Sequence, residues 1–424
     1  MGLDVLLLGV SPVIWIAGGL ALYMAWTIGA NDVANAMGTS VGSGALTIRN
    51  AVIVAGLLEF CGAFFVGGHV TETVRKGILD MEVAAAHPDL LLYGMLAALA
   101  SAATLLLGAT RLGMPVSTTH AIVGAIVGFG AVGLGLDAVV WGKVLQIVAS
   151  WVTSPLMGGA LAFLIFHLIH RLVLDREDPM EAAKKVGPFF FFAVVFVIGL
   201  VTLFKGLKHL NLDFDLPEAL LLSALLGVAG ALAGRFFVSR VKRREQREGT
   251  FDRFRNVERV FSVLQIMTAC AVAFAHGSND VANAIGPLAA VIQVAQGADL
   301  AGKAAVAPWM LVVGGVGIVI GLATWGYRVM ETVGRKITEL TPSRAFAAQL
   351  AASLTIVLAS RLGIPVSTTH ILVGSVLGVG LARGIGALDL GVVGRILVSW
   401  VVTIPAAAVM SVFFFYFFKG LLGP

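Results

Sequence analysis

Charge is scarce in this sequence. Only 12% of its residues are Asp, Glu, Lys or Arg, whereas 58% are hydrophobic, and the mean hydropathy is +0.95. A soluble protein of 424 residues would need far more polar surface to coat two or three domains. Cysteine is scarcer still: Cys61 and Cys270 lie inside apolar runs, at a spacing that fits neither a disulfide framework nor a thiolate metal site. Inert core residues are expected at both positions. A basic n-region is missing as well. Met1 to Asp4 carries no Lys or Arg, and the apolar run continues as far as Asn31 and Asp32, so a retained span is expected there rather than a cleaved signal. No gap between the apolar runs would hold a soluble domain.

What is abundant is long apolar sequence, recurring from Val5 to Phe418 in runs able to cross a hydrocarbon core about 30 Å thick with roughly 20 residues each. The pattern predicts an all-α polytopic membrane protein of about 12 transmembrane helices. They lie near 5–28, 50–68, 89–109, 117–135, 139–169, 187–206, 215–238, 260–276, 305–325, 345–360, 367–382 and 390–418. The glycine-rich fourth and eleventh are candidates for half-helices. Of the 29 Lys and Arg residues, 21 fall on the side reached after odd-numbered crossings and 8 on the other. The positive-inside rule then makes the odd side cytoplasmic and both termini extracytoplasmic. The segment 239–259, with eight basic and four acidic residues, reads as a solvated cytoplasmic loop that helps to set this orientation. A lipid-headgroup or regulatory site is the sharper reading of it; nucleic acid is not needed to explain it.

The chain is also internally duplicated. "NDVANA" at Asn31 recurs at Asn279, "RLGMPVSTTH" at Arg111 recurs as "RLGIPVSTTH" at Arg361, and "SWVTSP" at Ser150 is echoed by "SWVVTIP" at Ser399. These offsets are 248, 250 and 249 residues. A weaker echo, "ETVRKGI" at Glu72 and "ETVGRKI" at Glu331, is offset by 259, which implies a short insertion near "QVAQGADLAGK". The expected organisation is repeat one over 1–170, linking spans and the basic loop over 171–259, and repeat two over 260–424. Seven predicted crossings separate the two starts. Seven is odd, so the repeats should be inverted, the arrangement of secondary transporters whose substrates bind near the midplane between repeats.

Two motifs carry the chemistry. In "PVSTTH", Gly113 suits a left-handed helix end, Pro115 prevents continuation, and Ser117 or Thr118 is placed to cap a new helix. The result is a helix N-terminus at bilayer depth, whose free N–H groups and partial positive charge suit an anion. Thr119 adds a third hydroxyl, and Ser367, Thr368 and Thr369 repeat the set from the other half. In "NDVAN", Asn31, Asp32 and Asn35 share one helical stripe, and Asn279, Asp280 and Asn283 do likewise. A lone carboxylate at this depth needs a partner, a cavity or a cation. Gly38, Gly42 and Gly44 are expected to break the first of these helices and free carbonyl oxygens for a hard cation. A divalent oxyanion beside Asp32 and Asp280 would gather about four negative charges against roughly one positive from two helix N-termini. Neither motif core contains Lys or Arg. Cations should therefore enter with the anion.

Glu59, in the middle of the second span, is a further functional candidate. His120 and His370 read as oriented packing or hydrogen-bonding residues rather than proton relays. The G-x-G-x-x-G match at Gly128 to Gly133 follows no strand, which argues for close helix packing and against a dinucleotide site.

With these residues in view, the sequence resembles the inorganic phosphate transporter (PiT) family. "GANDVANAMGTSVGSGALT", "VTETVRKGILD", "LGMPVSTTH", "HGSNDVANAIGP", "TPSRAFAAQLAA" and "LGIPVSTTH" occur in that family's order across nearly the whole chain. The resemblance implies uptake of inorganic phosphate, driven by sodium in some members and by protons or as a neutral metal phosphate in others; a few relatives carry sulfate. It implies a phosphate site at Ser117, Thr118, Thr119, Ser367, Thr368 and Thr369. It also implies sodium sites at Asp32, Asn35, Asp280 and Asn283 with Asn31 and Asn279 close by, and a coupling role for Glu59. Gln349 stands where eukaryotic members resemble one another in carrying Glu, which removes one charge or proton carrier. The expectation is a sodium-coupled importer of the plasma (inner) membrane. It is not an enzyme and needs no cofactor beyond sodium as co-substrate; a homodimer is suggested by analogy. The rival readings are a proton-coupled phosphate or sulfate permease, a passive anion channel and an intramembrane aspartyl protease, the last giving no role to the paired hydroxyl triplets.

Overall fold

A computed structural model describes residues 11–76, 78–203, 214–240, 250–298, 306–361 and 366–423. Among them the chain is helical almost throughout, and a bridge between Leu79 and Val139 is the extended pairing present. The helices are α1 (Pro12–Val33), α2 (Ile48–Lys76), α3 (Met81–Ala86), α4 (Pro88–Arg111), α5 (Thr118–Phe129), α6 (Trp141–Ile169) and α7 (Pro179–Val201). They continue with α8 (Leu216–Arg240), α9 (Thr250–Ala295), α10 (Pro308–Thr324), α11 (Gly326–Glu331), α12 (Pro342–Arg361), α13 (Thr368–Ala382) and α14 (Leu390–Leu422). Proline at the first turn of α1, α4, α7 and α10 starts those helices where an N–H would be unpaired in any case.

By length and apolarity, nine described helices suffice to cross a bilayer, and α10 with the α11 segment, bent by 60°, makes a tenth. α5 and α13 are the shorter apolar helices, as their glycine content suggests. Twelve predicted segments thus each find a helix, but two fall short of a plain crossing.

Several boundaries move. α1 begins at Pro12 and continues through a π-helical turn, Ala34–Gly38, into Thr39–Gly42. α9 begins at Thr250, inside the expected loop 239–259, and runs unbroken to Ala295. Both "NDVAN" motifs therefore lie within continuous helices. The expected break does not occur at Gly38, which lies in the π-turn, and the helix ends at Gly42. These glycines allow close approach: a Cβ on Gly42 would lie 2.0 Å from the Gly334 carbonyl oxygen, and one on Gly38 3.3 Å from Val333. The left-handed turn that ends the segment is Gly44, at φ +76°. Residues 1–10, 241–249 and the expected turn at Pro365 lie outside the described residues.

The duplication is visible in local geometry. Gly135 and Gly384 follow the two short helices at φ +109° and +104°. Val140 N donates to Ile78 O at 2.9 Å, and Asp389 N donates to Ile337 O at 3.0 Å, at the offsets found in the sequence. Packing crosses between the halves. α5 lies on α14, where a Cβ on Gly128 would meet Ala408 O at 2.3 Å; α13 lies on α6, where one on Gly378 would meet Gly159 O at 2.0 Å. Such glycine contacts let backbones touch where lipid offers no hydrophobic drive for helix association. Consequently each of the two buried apolar clusters draws on both halves: Phe129 packs with Phe415 in one, and Phe166, Phe346 and Trp400 belong to the other.

Candidate functional site

The two short helices start alike. Ser117 accepts from His120 N at 3.2 Å and Ser367 accepts from His370 N at 3.2 Å, so serine is the cap in both "STTH" motifs. The loop before α5 is held from outside. Asn31 Nδ2 donates to Thr110 Oγ1 at 2.9 Å and Met114 O at 3.1 Å, and Asn31 Oδ1 accepts from Val116 N at 3.2 Å. Trp400 Nε1 adds a bond to Pro115 O at 3.1 Å, and Gly113 takes the expected positive φ, +65°. Asn31 is thus a brace for the loop and turns away from the carboxylate cluster.

The other motif residues meet crosswise. Asn35, in repeat one, donates to Thr369 Oγ1 of repeat two at 2.8 Å and to Asp32 Oδ1 at 3.3 Å. Asn283, in repeat two, donates to Thr119 Oγ1 of repeat one at 3.4 Å and to Asp280 Oδ1 at 3.4 Å. Thr369 Oγ1 also reaches Asp32 Oδ1 at 3.4 Å. Asn279 is only partly buried and donates to Asp280 Oδ1 at 3.2 Å. Thr368 is half-buried at the first residue of α13 and makes no side-chain hydrogen bond among the described residues.

Sequence reasoning missed the residue at the centre. His276 Nε2 lies 2.9 Å from Asp280 Oδ2 and 3.7 Å from Asp32 Oδ2, while its Nδ1 lies 3.4 Å from Glu59 Oε2. All four side chains are buried. These are ion-pair distances without aligned hydrogen bonds, and both Glu59 oxygens lack a hydrogen-bond donor. Three carboxylates thus surround one imidazole, and no Lys or Arg joins them among the described residues. The i, i+4 spacing of His276 and Asp280 was the available signal, since it sets both on one helical face. The repeat explains why symmetry hid it. At the offsets of 248 and 259, the counterparts of His276 and Glu59 are Ile28 and Ile318. The backbone contacts agree: Gly277 abuts Glu59 O at 2.1 Å, and Gly29 abuts Ile318 O at 2.0 Å, measured from an added Cβ.

Gln349 lies beside this cluster. Its Nε2 donates to Asn35 O and Ala36 O, both at 3.2 Å, carbonyls that lie within the π-turn of α1. Its Oε1 accepts from Thr39 at 2.6 Å, and Gln265, also missed, donates to Thr39 and Ser40 at 2.8 and 2.9 Å. The expectation of carbonyl oxygens near the glycines meets a different arrangement: those of Asn35 and Ala36 lie in the π-turn and accept from Gln349. His120 and His370 pack edge to face at 4.8 Å between Trp151 and Trp400, the packing role expected of them.

An arrangement of this kind can hold an anion and cations together. It offers helix N-termini and hydroxyls on one side and an excess of buried negative charge on the other. The comparisons with known proteins agree with this chemistry. Residues 28–411 match the phosphate transporter family. A Haemophilus influenzae protein named for phosphate permease activity is 46% identical over 97% of this chain and 98% of its own length. An inorganic phosphate transporter of Arabidopsis thaliana chloroplasts is 44% identical over 94% of this chain and 71% of its own length. A solved structure described as the sodium-dependent phosphate transporter superposes with a TM-score of 0.85 at 42% identity, covering 96% of this chain and 99% of that one. The multi-pass architecture, the converging hydroxyl caps and these matches lead to one conclusion: the chain belongs to the phosphate transporter family, as a membrane transporter and not an enzyme.

Proposed function

We propose that this phosphate transporter works as a sodium symporter that imports phosphate across the plasma membrane, with the two repeats inverted about the midplane, both termini outside and the 239–259 segment cytoplasmic. Phosphate is held by the N-termini of α5 and α13 and the hydroxyls of Ser117, Thr118, Thr119, Ser367, Thr368 and Thr369. Sodium, as co-substrate, is held by Asp32 and Asp280 with the carboxamide oxygens of Asn35 and Asn283. One observation carries the reading. Asn35 donates to Thr369 and Asp32, and its own Oδ1 is left buried without a donor, while Asp280 Oδ2 has only the ion-pair approach of His276 at 2.9 Å. Orphan acceptors at this depth call for a cation. Because the same Asn35 touches Thr369, in the first turn of α13 of the opposite repeat, filling the cation site orders the anion site.

Phosphate uptake into proteoliposomes tests this directly. Uphill accumulation under an inward sodium gradient at fixed pH is the expected result, and equilibration without accumulation is the channel's. Accumulation under a proton gradient alone would favour the second reading, proton coupling, which His276 among three carboxylates recommends.

A further inference from the structure

Away from the central cluster, a cavity of about 700 Å³ lies between the C-terminal half of α4 and the N-terminal half of α14. Its walls are apolar except at a few points, with Leu105, Leu112, Val398 and Val402 among them. Gly108, Gly391 and Gly394 recess it, since a Cβ on Gly108 or Gly394 would meet nothing within 4 Å. It opens on the outer surface of the bundle, where Leu112, Leu390, Val398 and Val402 are exposed. In a membrane-spanning chain that surface faces acyl chains. One cation lines the groove. Arg395 is exposed and makes no ion pair among the described residues. Ser399 and Thr403 supply hydroxyls further along the same helix.

We infer that this groove binds one anionic glycerophospholipid, its acyl chain in the cavity and its phosphate on Arg395. An apolar slot of this volume is within the range of small-molecule sites, and an unpaired guanidinium favours a headgroup of net negative charge over a zwitterionic one, whose phosphodiester charge is balanced by its own ammonium. A helix of a second copy is convex and fills a recessed slot poorly. The lipid lies against Met114 and Val116, the outer side of the loop that Asn31 grips.

Native mass spectrometry of the purified, delipidated protein, titrated with phosphatidylglycerol or phosphatidylcholine, tests this. The wild-type chain should take up one phosphatidylglycerol in preference to phosphatidylcholine. Arg395→Gln should weaken phosphatidylglycerol roughly fivefold, the effect of losing one basic group at an anionic headgroup, and leave phosphatidylcholine unchanged. Gly394→Leu, which fills the groove, should abolish the uptake of either lipid. Glycine to leucine within a helix favours folding, and Gly108→Leu on the opposite wall repeats the test should one variant fail to melt like wild type. Wild-type lipid binding in a folded groove-filled variant overturns the proposal. So does equal loss of both lipids in Arg395→Gln, or a change of oligomeric mass in Gly394→Leu, which would make a second copy the occupant.

Discussion

A Cβ atom placed on Gly277 would lie 2.1 Å from the carbonyl oxygen of Glu59. α9 and α2 thus touch backbone to backbone one residue from His276, and the spacing of the imidazole from the Glu59 carboxylate depends on that contact. Gly277→Ala must push the helices apart, an overpacking cost of about 1–3 kcal/mol. Phosphate uptake per folded protein should fall at least about tenfold, the rate equivalent of about 1.4 kcal/mol. Gly19→Ala, where an added Cβ meets nothing within 4 Å, should transport like wild type.

Asn35 and Thr369 join the two repeats through a 2.8 Å hydrogen bond. Alanine at either position should raise both the sodium and the phosphate concentrations needed for half-maximal uptake. The double variant should be no worse than the poorer single one, with an interaction energy of about 0.5–3 kcal/mol in the cycle. Strict additivity would mean that the cation and anion sites do not communicate through this bond.

Glu59 is buried with both oxygens free of hydrogen bonds, 3.4 Å from His276. Glu59→Gln keeps the shape and removes the charge. Its expected effect is a sodium requirement raised by roughly 5- to 150-fold, the span of a 1–3 kcal/mol coupling. A sodium titration of uptake reads this out, and an unchanged half-saturation would reduce Glu59 to a packing residue.

Gln349 supplies two N–H bonds to the carbonyls of Asn35 and Ala36. In Gln349→Glu, an ionised side chain would set oxygen against oxygen there, whereas the neutral acid can still donate to one carbonyl. Uptake and melting temperature should both drop at neutral pH and partly recover in acid. Gln349→Ala leaves both carbonyls unpaired, costs about 1–3 kcal/mol for each, and should show no recovery in acid.

Much of this was legible in the sequence because periodicity and duplication are written residue by residue. The hydroxyl caps followed from "PVSTTH", and the short fourth and eleventh helices from their glycines. Three things were not legible, for separate physical reasons. Gly38 looked like a helix breaker because a sequence does not say that Val333 approaches from another helix. Asn31 looked like a member of the cation stripe because local geometry sets it beside Asp32; its true partners, Thr110 and Met114, are tertiary neighbours. His276 was passed over because comparison of the halves draws the eye to what repeats, and its counterpart is Ile28.

The interleaving of the halves bears on how the chain is made. While residues up to about 250 are threading into the membrane, α5 has no α14 to lie on, and Phe129 waits for Phe415. The glycine-lined face of α5 stays bare until α14 arrives, and that of α6 stays bare until α13 does. Folding to the transport-competent form is therefore a late event in synthesis, and a ribosome that stops early leaves a fragment without a closed core, a substrate for quality control rather than half a transporter.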